Sequence, residues 1–235
     1  SSMQSIHIAA GAIQMGAGQV FLCGGIESMT RIPMSGFNPM PNPVLATEMR
    51  AAYMGMGETA ENVARKYNIS RKEQEAFAVQ SHVKAALAQS AGKLNDEIVA
   101  ITRADGVVIN QDGCIRPETT AEKLATLKPA FDEKGTVTAA TSSPLTDGAS
   151  ITLVTTEDYA RGHGMNILAR VKSTAVAGCA PEIMGIGPVA ATKKALARAG
   201  LTIKDIDIIE LNEAFASQSL ACIRDLEIDI AKVNL

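Results

Sequence analysis

The feature that most constrains this chain is an apolar strand that runs almost directly into a helix near its C-terminal end. Residues 206–211 are apolar except for Asp207 and Glu210, which predicts a buried strand, and residues 213–224 then have helical spacing. In sheets that are covered by helices, ligands bind beyond the carboxyl ends of the strands. The junction at Asn212 is therefore a candidate binding or catalytic site.

Two interpretations of Asn212 are open. A helix start supplies free N–H groups and the positive end of the helix dipole. An amide side chain beside it can hold a water or a carbonyl oxygen on which negative charge develops. Alternatively, Asn212 only caps the helix, because asparagine is among the preferred N-cap residues.

The same alternation of helix and strand is predicted at the start of the chain. Residues 6–15 are apolar on nearly all sides, which predicts a buried helix that ends at Gly16. Residues 19–23 predict a buried strand, followed by a tight turn at Gly24 and Gly25. Helix, turn and strand in this order indicate a sheet with covering helices, and hence an α/β fold.

The alternation returns from about residue 149 onwards. Strands are predicted at 150–155 and 167–177. Pro188 suits the first turn of a helix, and that helix is predicted to end before Gly200.

The region between about residues 31 and 148 has a different character. Four prolines within residues 31–43 predict a long loop, and a short helix is predicted at 59–67. Ser70 with Glu73 has the spacing of a capping box, which predicts a long helix that ends at Gly92. Short strands are predicted at 97–101, 107–110 and 136–141. The region is therefore expected to be a loop-rich α+β insertion.

Composition excludes several classes of function. The 235 residues include 22 Lys and Arg against 25 Asp and Glu, a formal charge of −3, so no basic surface for nucleic acid is expected. The hydrophobic fraction of 46% argues against disorder, and no apolar run is long enough to span a bilayer. Cysteines and histidines are sparse and lack disulfide or metal-ligand spacing, so we expect a reduced compartment and no bound metal.

Three further segments are candidates for ligand contacts. Residues 138–149 are rich in small and hydroxylated side chains, although composition alone favours a polar connection. The glycine pair at 24–25 lacks the other residues of a nucleotide-binding loop, so a tight turn is favoured over a phosphate site. Residues 54–57, Met-Gly-Met-Gly, either wall an acyl pocket or simply pack.

Individual cysteines and histidines carry less information. Cys23 and Cys222 are expected to be inert core thiols. His7 is expected to be a core residue, and His82 and His163 are expected on the surface.

Seven short motifs resemble the thiolase family, and they cover nearly the whole chain. Each motif alone is weak, but the set in family order is highly specific. The motifs are Gly-Gly-Ile-Glu-Ser-Met (24–29), Met-Gly-Glu-Thr-Ala-Glu-Asn-Val (56–63), Lys-Pro-Ala-Phe (128–131), Gly-Thr-Val-Thr-Ala (135–139), Leu-Thr-Asp-Gly-Ala (145–149), Gly-Ile-Gly-Pro (185–188) and Asn-Glu-Ala-Phe (212–215).

The resemblance implies an α/β fold with a duplicated α-β-α-β-α core and an inserted α+β loop domain, incomplete at both ends. Residues 1–30 would end the N-terminal half of the core. Residues 31–148 would form the inserted, CoA-binding loop domain. Residues 149–235 would return to the core and start the C-terminal half.

The resemblance also implies that catalytic residues of the family lie outside this sequence. Ser-Ser-Met-Gln at residues 1–4 matches the last four residues of the family's Cys-Gly-Ser-Ser-Met-Gln turn, whose cysteine is the nucleophile. The Gly-His-Pro histidine and a second cysteine would lie beyond residue 235. Both ends therefore read as internal to a longer protein. The 235 residues alone are expected to be inactive.

The chemistry implied by the resemblance is two-step acyl transfer through an acyl-cysteine. A 3-ketoacyl-CoA is cleaved by CoA into acetyl-CoA and a shortened acyl-CoA, and the reverse reaction is a Claisen condensation. Asn212 matches the residue that positions a water, which stabilises the enolate oxygen together with the family's histidine. The family positions that line the CoA channel and acyl pocket match Met56, Arg116, Phe131, Ser143 and Phe215.

Some roles within the site are more specific. Ser143 would meet the pantetheine arm, Arg116 the adenine end of CoA and Met56 the acyl chain, whereas Glu213 is expected to be structural. Short-chain biosynthetic thiolases usually carry a histidine where this chain has Gly55. A degradative 3-ketoacyl-CoA thiolase is therefore favoured over an acetyl-CoA acetyltransferase that forms acetoacetyl-CoA.

An alternative from another class is a non-catalytic thiolase-like subunit that binds acyl-CoA. A 3-ketoacyl synthase is disfavoured, because Asn-Glu-Ala-Phe occupies the place of one of its histidines. CoA or acyl-CoA is expected as a substrate, with no permanently bound cofactor. We expect a homodimer or homotetramer, because thiolases pair sheet edges across a two-fold axis. A role in fatty acid β-oxidation is expected, in the cytoplasm, with mitochondrion and peroxisome as open alternatives.

Overall fold

The computed structural model describes residues 2–235, and its longest ladder joins two strands that are distant in sequence. β1 (Val20–Glu27) and β4 (Gly148–Thr155) pair antiparallel in unbroken register, from Val20 opposite Thr155 to Glu27 opposite Gly148. Residues 28–147 therefore form an excursion, which leaves the ladder after Glu27 and returns to the same end of it at Gly148. A hydrogen bond joins the two ends of this excursion: the Asp147 carboxylate accepts from the main-chain nitrogen of Thr30 at 2.8 Å.

The first helix is more exposed than its sequence predicts. α1 (Ser2–Gln14) is followed by a left-handed glycine, Gly16 with φ +70°, as expected of a helix end. Within the described part of the chain, Ala9 is its one buried residue, and Ile8 is 65% exposed. The prediction of a buried helix is wrong for residues 2–235, because no described element covers its outer face.

The first strand also differs from its prediction. Only Cys23 of β1 is buried, and Leu22 is 74% exposed. Gly24 and Gly25 do not form a tight turn: they lie inside β1, opposite Ile151 and Ser150. The turn prediction was wrong because the partner strand β4 extends the ladder through both glycines.

The excursion contains both helices predicted for it, together with a short helix after residue 42 that the sequence analysis did not predict. α2 (Pro43–Glu48) is capped by Asn42, and a 3-10 turn (Arg50–Tyr53) leads to α3 (Met56–Lys66). α4 (Arg71–Ser90) starts at the predicted capping box. There the Ser70 hydroxyl accepts from the Glu73 nitrogen, and the Glu73 carboxylate accepts from the Ser70 nitrogen at 2.7 Å. The short and long helix predictions are both confirmed.

The short strands of the excursion are reduced to a minimal hairpin of β2 (Ile101–Thr102) and β3 (Val108–Ile109), which is followed by α5 (Ala121–Ala125). The strand predicted at 136–141 does not form. Its second half is a 3-10 turn (Ala139–Thr141), because the Thr141 hydroxyl accepts a hydrogen bond from the Thr138 nitrogen and closes the turn.

The chain after β4 is mainly helical. It contains α6 (Glu157–Gly162), α7 (Gly187–Ala199) and α8 (Ala216–Asp225), with 3-10 segments at Pro181–Ile186, Ile203–Asp205 and Ile230–Lys232. The signals at Pro188 and at Gly200, whose φ is +68°, are confirmed as the start and end of α7.

The two apolar runs predicted as strands in this part do not join a ladder. Residues 167–177 are irregular and have no strand partner among residues 2–235. Residues 206–211 contribute a single parallel bridge, between Ile209 and Val233. A strand needs a partner, which an apolar pattern alone does not supply.

α8 is the most deeply buried helix, with seven of its ten residues buried. Its Ser217 hydroxyl donates a 3.0 Å hydrogen bond to the carbonyl oxygen of Ala60 in α3. The main apolar cluster around it consists of Val189, Cys222, Ile223, Leu226, Ile228 and Val233. Burial of a large aliphatic side chain contributes about 1.5–3 kcal/mol to stability. The packing of α8 therefore holds the start of the helix, and the segment before it, in place.

Candidate active site

One cavity of about 1640 Å³ lies between α3, α4, the segment before α5 and the approach to α8. All six residues singled out from the sequence line it, although they come from five separate chain segments. They are Met56, Arg116, Phe131, Ser143, Asn212 and Phe215. The fold therefore gathers these residues around one space.

Asn212 is exposed, and it lines both this cavity and a smaller one of about 390 Å³. Phe215, with an extended backbone, is the N-cap of α8, which begins at Ala216. The interpretation of Asn212 as the helix cap is therefore wrong. A short link separates Asn212 from the helix and leaves its amide accessible from the cavity.

The segments that carry Ser143 and Phe215 are joined through their main chains. The Ser143 nitrogen donates a 2.9 Å hydrogen bond to the Ala214 carbonyl oxygen, and Ser142 forms an antiparallel bridge with Phe215. The Ser142 hydroxyl also donates to the Thr138 carbonyl oxygen at 2.8 Å. Part of the small, hydroxylated stretch noted in the sequence thus forms a wall of the cavity.

Phe131 and Phe215 form an aromatic wall. Their rings meet edge to face, with centroids 5.9 Å apart and an interplanar angle of 80°. Phe131 lies so close to α3 that a Cβ on Gly57 would be 2.1 Å from its ring. Close approach of the ring therefore requires glycine at position 57.

Arg116 lies in an irregular segment that is held against α4. Its main-chain nitrogen donates a 3.2 Å hydrogen bond to Nδ1 of His82, and its carbonyl oxygen accepts from the Thr119 hydroxyl at 2.8 Å. His82 is half-buried and lines the cavity, so it is less exposed than the sequence analysis expected. His7 is half-buried and not in the core as expected, whereas His163 is exposed as expected.

Glu213 is fixed by hydrogen bonds on both carboxylate oxygens. The Ser81 hydroxyl donates to one of them, and Nδ2 of Asn234 donates to the other at 2.6 Å. The Asn234 side chain also pairs with the main chain of Leu211, donating to its oxygen at 2.9 Å and accepting from its nitrogen at 2.8 Å. These contacts hold the backbone on both sides of Asn212, which agrees with a structural Glu213.

Glu61 supports the cavity and was missed by the sequence analysis. It is 1% exposed, and its carboxylate accepts hydrogen bonds from the main-chain nitrogens of Thr136 and Val137 at 2.8 to 3.0 Å. Gly135 makes room for it, since a Cβ there would lie 2.0 Å from Glu61 Oε1. The sequence held one signal for this role, a carboxylate on a helix with an apolar face. A carboxylate that is buried there needs hydrogen-bond partners.

Arg71 was also missed. It lies in the first turn of α4, and its guanidinium donates to the carbonyl oxygens of Leu124, Ala125 and Leu127 at 2.6 to 3.2 Å. It thereby docks the end of α5, and the chain directly after it, onto α4.

The buried cysteines are not placed as nucleophiles. Burial raises the pKa of the Cys222 thiol to about 11, and the Sγ atom lies 3.5 Å from the Gly185 carbonyl oxygen. Cys23 is buried as well, with Sγ 3.5 Å from the Ser5 carbonyl oxygen. The Cys222 thiol is therefore protonated and inert, and Cys23 is buried as expected of a core cysteine.

Residues 2–235 show neither a metal-binding cluster nor a membrane-spanning helix. No group of three His, Cys, Asp or Glu side chains is placed to hold a metal ion within that range. Across the same residues, no helix combines the length and apolar character needed to cross a membrane.

The fold and the cavity together define a thiolase. Residues 1–158 match the family model for the thiolase N-terminal domain, and residues 165–235 match the model for the thiolase C-terminal domain. The chain belongs to the thiolase family.

Its relatives carry a more specific name. It is 51% identical over 243 residues to the 3-ketoacyl-CoA thiolase of Shewanella baltica (strain OS155), an alignment that covers 100% of this chain and 62% of the relative. It is 50% identical to the 3-ketoacyl-CoA thiolase of Pseudoalteromonas translucida, with the same coverage. The chain thus spans about 62% of the length of these relatives.

Solved thiolase structures confirm the α/β thiolase fold. The dimeric peroxisomal thiolase of Saccharomyces cerevisiae superposes with a TM-score of 0.94 at 38% identity, over 100% of this chain and 61% of the other. Human mitochondrial 3-ketoacyl-CoA thiolase in complex with CoA gives 0.88 at 39% identity, over 100% and 62%. The Bacillus anthracis acetyl-CoA acetyltransferase gives 0.88 at 40% identity, over 100% and 63%.

Proposed function

We propose that the full-length protein is a 3-ketoacyl-CoA thiolase. It uses the thiol of CoA to cleave a 3-ketoacyl-CoA into acetyl-CoA and a shortened acyl-CoA, and it runs the reverse Claisen condensation. The observation that carries this proposal is the meeting of all six family-matched residues, among them Asn212 and Ser143, around one cavity. The relatives named 3-ketoacyl-CoA thiolase support it.

In the proposed reaction, the thiolate of the family's nucleophilic cysteine attacks the keto carbon, and the carbon–carbon bond to the acetyl unit breaks. The bonding electron pair passes to the acetyl-CoA enolate, which is then protonated. The thiolate of a second CoA attacks the acyl-cysteine thioester, takes the acyl group and releases the cysteine. No cysteine in these 235 residues matches the nucleophile, so a polypeptide of these residues alone should show no turnover.

Asn212 is proposed to orient a water that donates a hydrogen bond to the enolate oxygen. Its exposed amide and the fixed backbone around it support this role, because stabilisation of a developing charge requires donors that do not reorganise. Glu213 and Asn234 supply that rigidity through their contacts on both sides of Asn212.

CoA is proposed to enter as a substrate and to occupy the large cavity. Ser143 and the aromatic wall of Phe131 and Phe215 would contact the pantetheine arm, which has polar amides on an otherwise apolar chain. The guanidinium of Arg116 would meet the nucleotide end, where its charge and its flat face suit phosphate and adenine.

The acyl pocket is proposed to lie next to Met56 at the start of α3. Gly55 is the N-cap of α3 and lines the cavity, so no side chain at position 55 restricts the acyl group. This favours a degradative enzyme with longer substrates. Similarity to the Bacillus anthracis acetyl-CoA acetyltransferase makes short-chain, acetoacetyl-CoA-forming activity the second candidate. The ratio of kcat/KM for a long-chain 3-ketoacyl-CoA to that for acetoacetyl-CoA separates the two.

The organisation in three parts remains part of the proposal: core at 1–30, a CoA-binding insertion at 31–148, and core again at 149–235. The β1–β4 ladder, which residues 28–147 leave and rejoin, supports it.

We also propose a homodimer or homotetramer that acts in fatty acid β-oxidation in the cytoplasm. The similarity to the dimeric peroxisomal thiolase of Saccharomyces cerevisiae supports assembly. Light scattering that shows a strictly monomeric full-length protein would count against assembly.

The proposal is tested with the full-length protein, a 3-ketoacyl-CoA and CoA. The expected result is CoA-dependent formation of acetyl-CoA and the shortened acyl-CoA, detected by mass spectrometry. Iodoacetamide should abolish turnover, and acyl-CoA should protect against it. Binding of acyl-CoA without turnover would favour the non-catalytic subunit instead.

A further inference from the structure

We propose that His82 is a positioning residue for CoA binding. By accepting a hydrogen bond from the main-chain nitrogen of Arg116, its imidazole holds the Arg116 side chain at the nucleotide end of the cavity. This inference rests on the proposed function, because it assigns His82 a part in the binding of that substrate.

The segment that carries Arg116 has few internal constraints. From the end of β3 to the start of α5 it contains neither helix nor strand. The carbonyl oxygen of Arg116 is occupied within the segment, since it accepts from the nitrogen of Thr119 at 3.1 Å and from its hydroxyl at 2.8 Å. Pro117 has no N–H to offer. Two other main-chain oxygens of the segment accept from side chains, that of Asp112 from Nε2 of Gln89 at 3.5 Å and that of Glu118 from Nζ of Lys123 at 2.8 Å. The Arg116 nitrogen is the donor that ties the arginine itself to α4, with Nδ1 of His82 as its acceptor at 3.2 Å.

The acceptor comes from a rigid element. α4 is 20 residues long and starts at a complete capping box, and Arg71 in its first turn holds the end of α5. Arg71 therefore fixes the far end of α5, and His82 fixes the segment before α5 at the arginine itself.

α4 also contacts both proposed parts of the site. Consecutive residues Ser81 and His82 contact Glu213, next to Asn212, and Arg116. One turn of α4 thus fixes the main chain near the proposed oxyanion site and the main chain at the proposed nucleotide site. Loss of the His82 contact should loosen only the second of these.

Two amide substitutions separate the hydrogen bond from the bulk of the side chain. Nδ1 accepts a hydrogen bond in the neutral imidazole. In His82→Asn, the amide oxygen can take the place of Nδ1, whereas in His82→Gln it takes the place of Nε2 and does not reach the Arg116 nitrogen. Both variants remain polar, so both are expected to fold.

The experiment uses the full-length protein and two readouts. Hydrogen exchange of the Arg116 amide without substrate should be faster in His82→Gln than in wild type, and close to wild type in His82→Asn. In thiolysis, His82→Gln should raise KM for CoA by about three- to tenfold, as expected for one ordinary hydrogen bond, with kcat unchanged. With pantetheine, which lacks the nucleotide, the variants should have equal KM values.

The control is His163→Gln, a change at an exposed imidazole that does not line the cavity, which should leave both readouts unchanged. Equal exchange rates at Arg116 in all variants would overturn the inference. So would an equal rise of KM for CoA and pantetheine, which would indicate a merely structural histidine. Absence of turnover in the wild-type protein would instead refute the proposed function, and the exchange rates would still test the His82–Arg116 contact.

Discussion

The main-chain nitrogen of Ser143 donates a 2.9 Å hydrogen bond to the carbonyl oxygen of Ala214. This contact joins the segment proposed to bind the pantetheine arm to the segment directly after Asn212. The two segments are far apart in sequence, and the bridge between Ser142 and Phe215 lies directly beside the contact. The segments proposed for substrate binding and for charge stabilisation are therefore joined through their main chains, and a change that displaces either segment should affect both.

A methyl group on Gly57 should disrupt the aromatic wall. In Gly57→Ala, Cβ would lie 2.1 Å from the Phe131 ring, so the ring has to leave its position against Phe215. We expect a loss of stability of about 1–3 kcal/mol, typical of overpacking, together with a raised KM for CoA. Denaturant unfolding and steady-state kinetics measure these effects. Gly162→Ala, where no atom lies within 4 Å, is the matched control; equal behaviour of the two variants would refute the packing role.

Removal of the Glu61 charge should destabilise the wall formed by the chain after Gly135. In Glu61→Gln, an NH₂ group replaces one of the oxygens that accept from the Thr136 and Val137 nitrogens. A loss of about 1.5–3 kcal/mol is expected for a buried hydrogen bond to a charged group. Chemical denaturation measures the loss, with the exposed Glu133→Gln as the control. A Glu61→Gln variant as stable as wild type would show that the carboxylate is not needed.

Stability should depend on pH through Asp147. The hydrogen bond from the Thr30 main chain holds the pKa of the Asp147 carboxyl below its usual value. Because the pKa is lower in the folded than in the unfolded state, the carboxylate stabilises the fold at neutral pH, and this contribution is lost as the pH falls below about 4. The difference in unfolding free energy between wild type and Asp147→Asn should therefore shrink on acidification. A difference that is constant with pH would contradict this, and Asp112→Asn at an exposed site is the control.

Alkylation of the cysteines should depend on how deeply each thiol is buried. Burial keeps reagents away from the Cys222 thiol and raises its pKa to about 11. The thiol therefore stays protonated at about pH 8. Iodoacetamide should modify the exposed Cys179 of the native protein and leave Cys222 unmodified, as read by peptide mass mapping. Labelling of both after denaturation is the control. Rapid modification of Cys222 in the native protein would show that α8 opens easily.

Local signals in the sequence predicted the helices well. The capping box of Ser70 and Glu73 and the glycine at the end of α7 act through neighbouring residues, so they can be recognised without knowledge of the rest of the fold. Strands and burial were predicted less well, because they depend on distant partners. The apolar run at 206–211 has only one bridge, and Ala9 is the one buried residue of the apolar α1 among residues 2–235.

The sequence analysis predicted which residues line the candidate site, but not which residues hold that lining in place. The resemblance identified residues such as Asn212 and Ser143, which the fold brings to one cavity. The sequence analysis missed the roles of His82, Glu61 and Arg71, because each contacts the main chain of a segment distant in sequence. A spacing pattern can mark a candidate such as Glu61, but it does not identify the distant partner in such a contact.

The most direct measurement is kcat for thiolysis of a 3-ketoacyl-CoA by the full-length protein and by its Asn212→Ala variant. If Asn212 orients the water that stabilises the enolate, kcat should fall by about 100- to 1000-fold, as for loss of one oxyanion donor, with KM for CoA nearly unchanged. The exposed Asn110→Ala should behave like wild type. A variant Asn212→Ala that keeps the wild-type kcat, or a wild-type protein without thiolytic activity, would contradict the central claim.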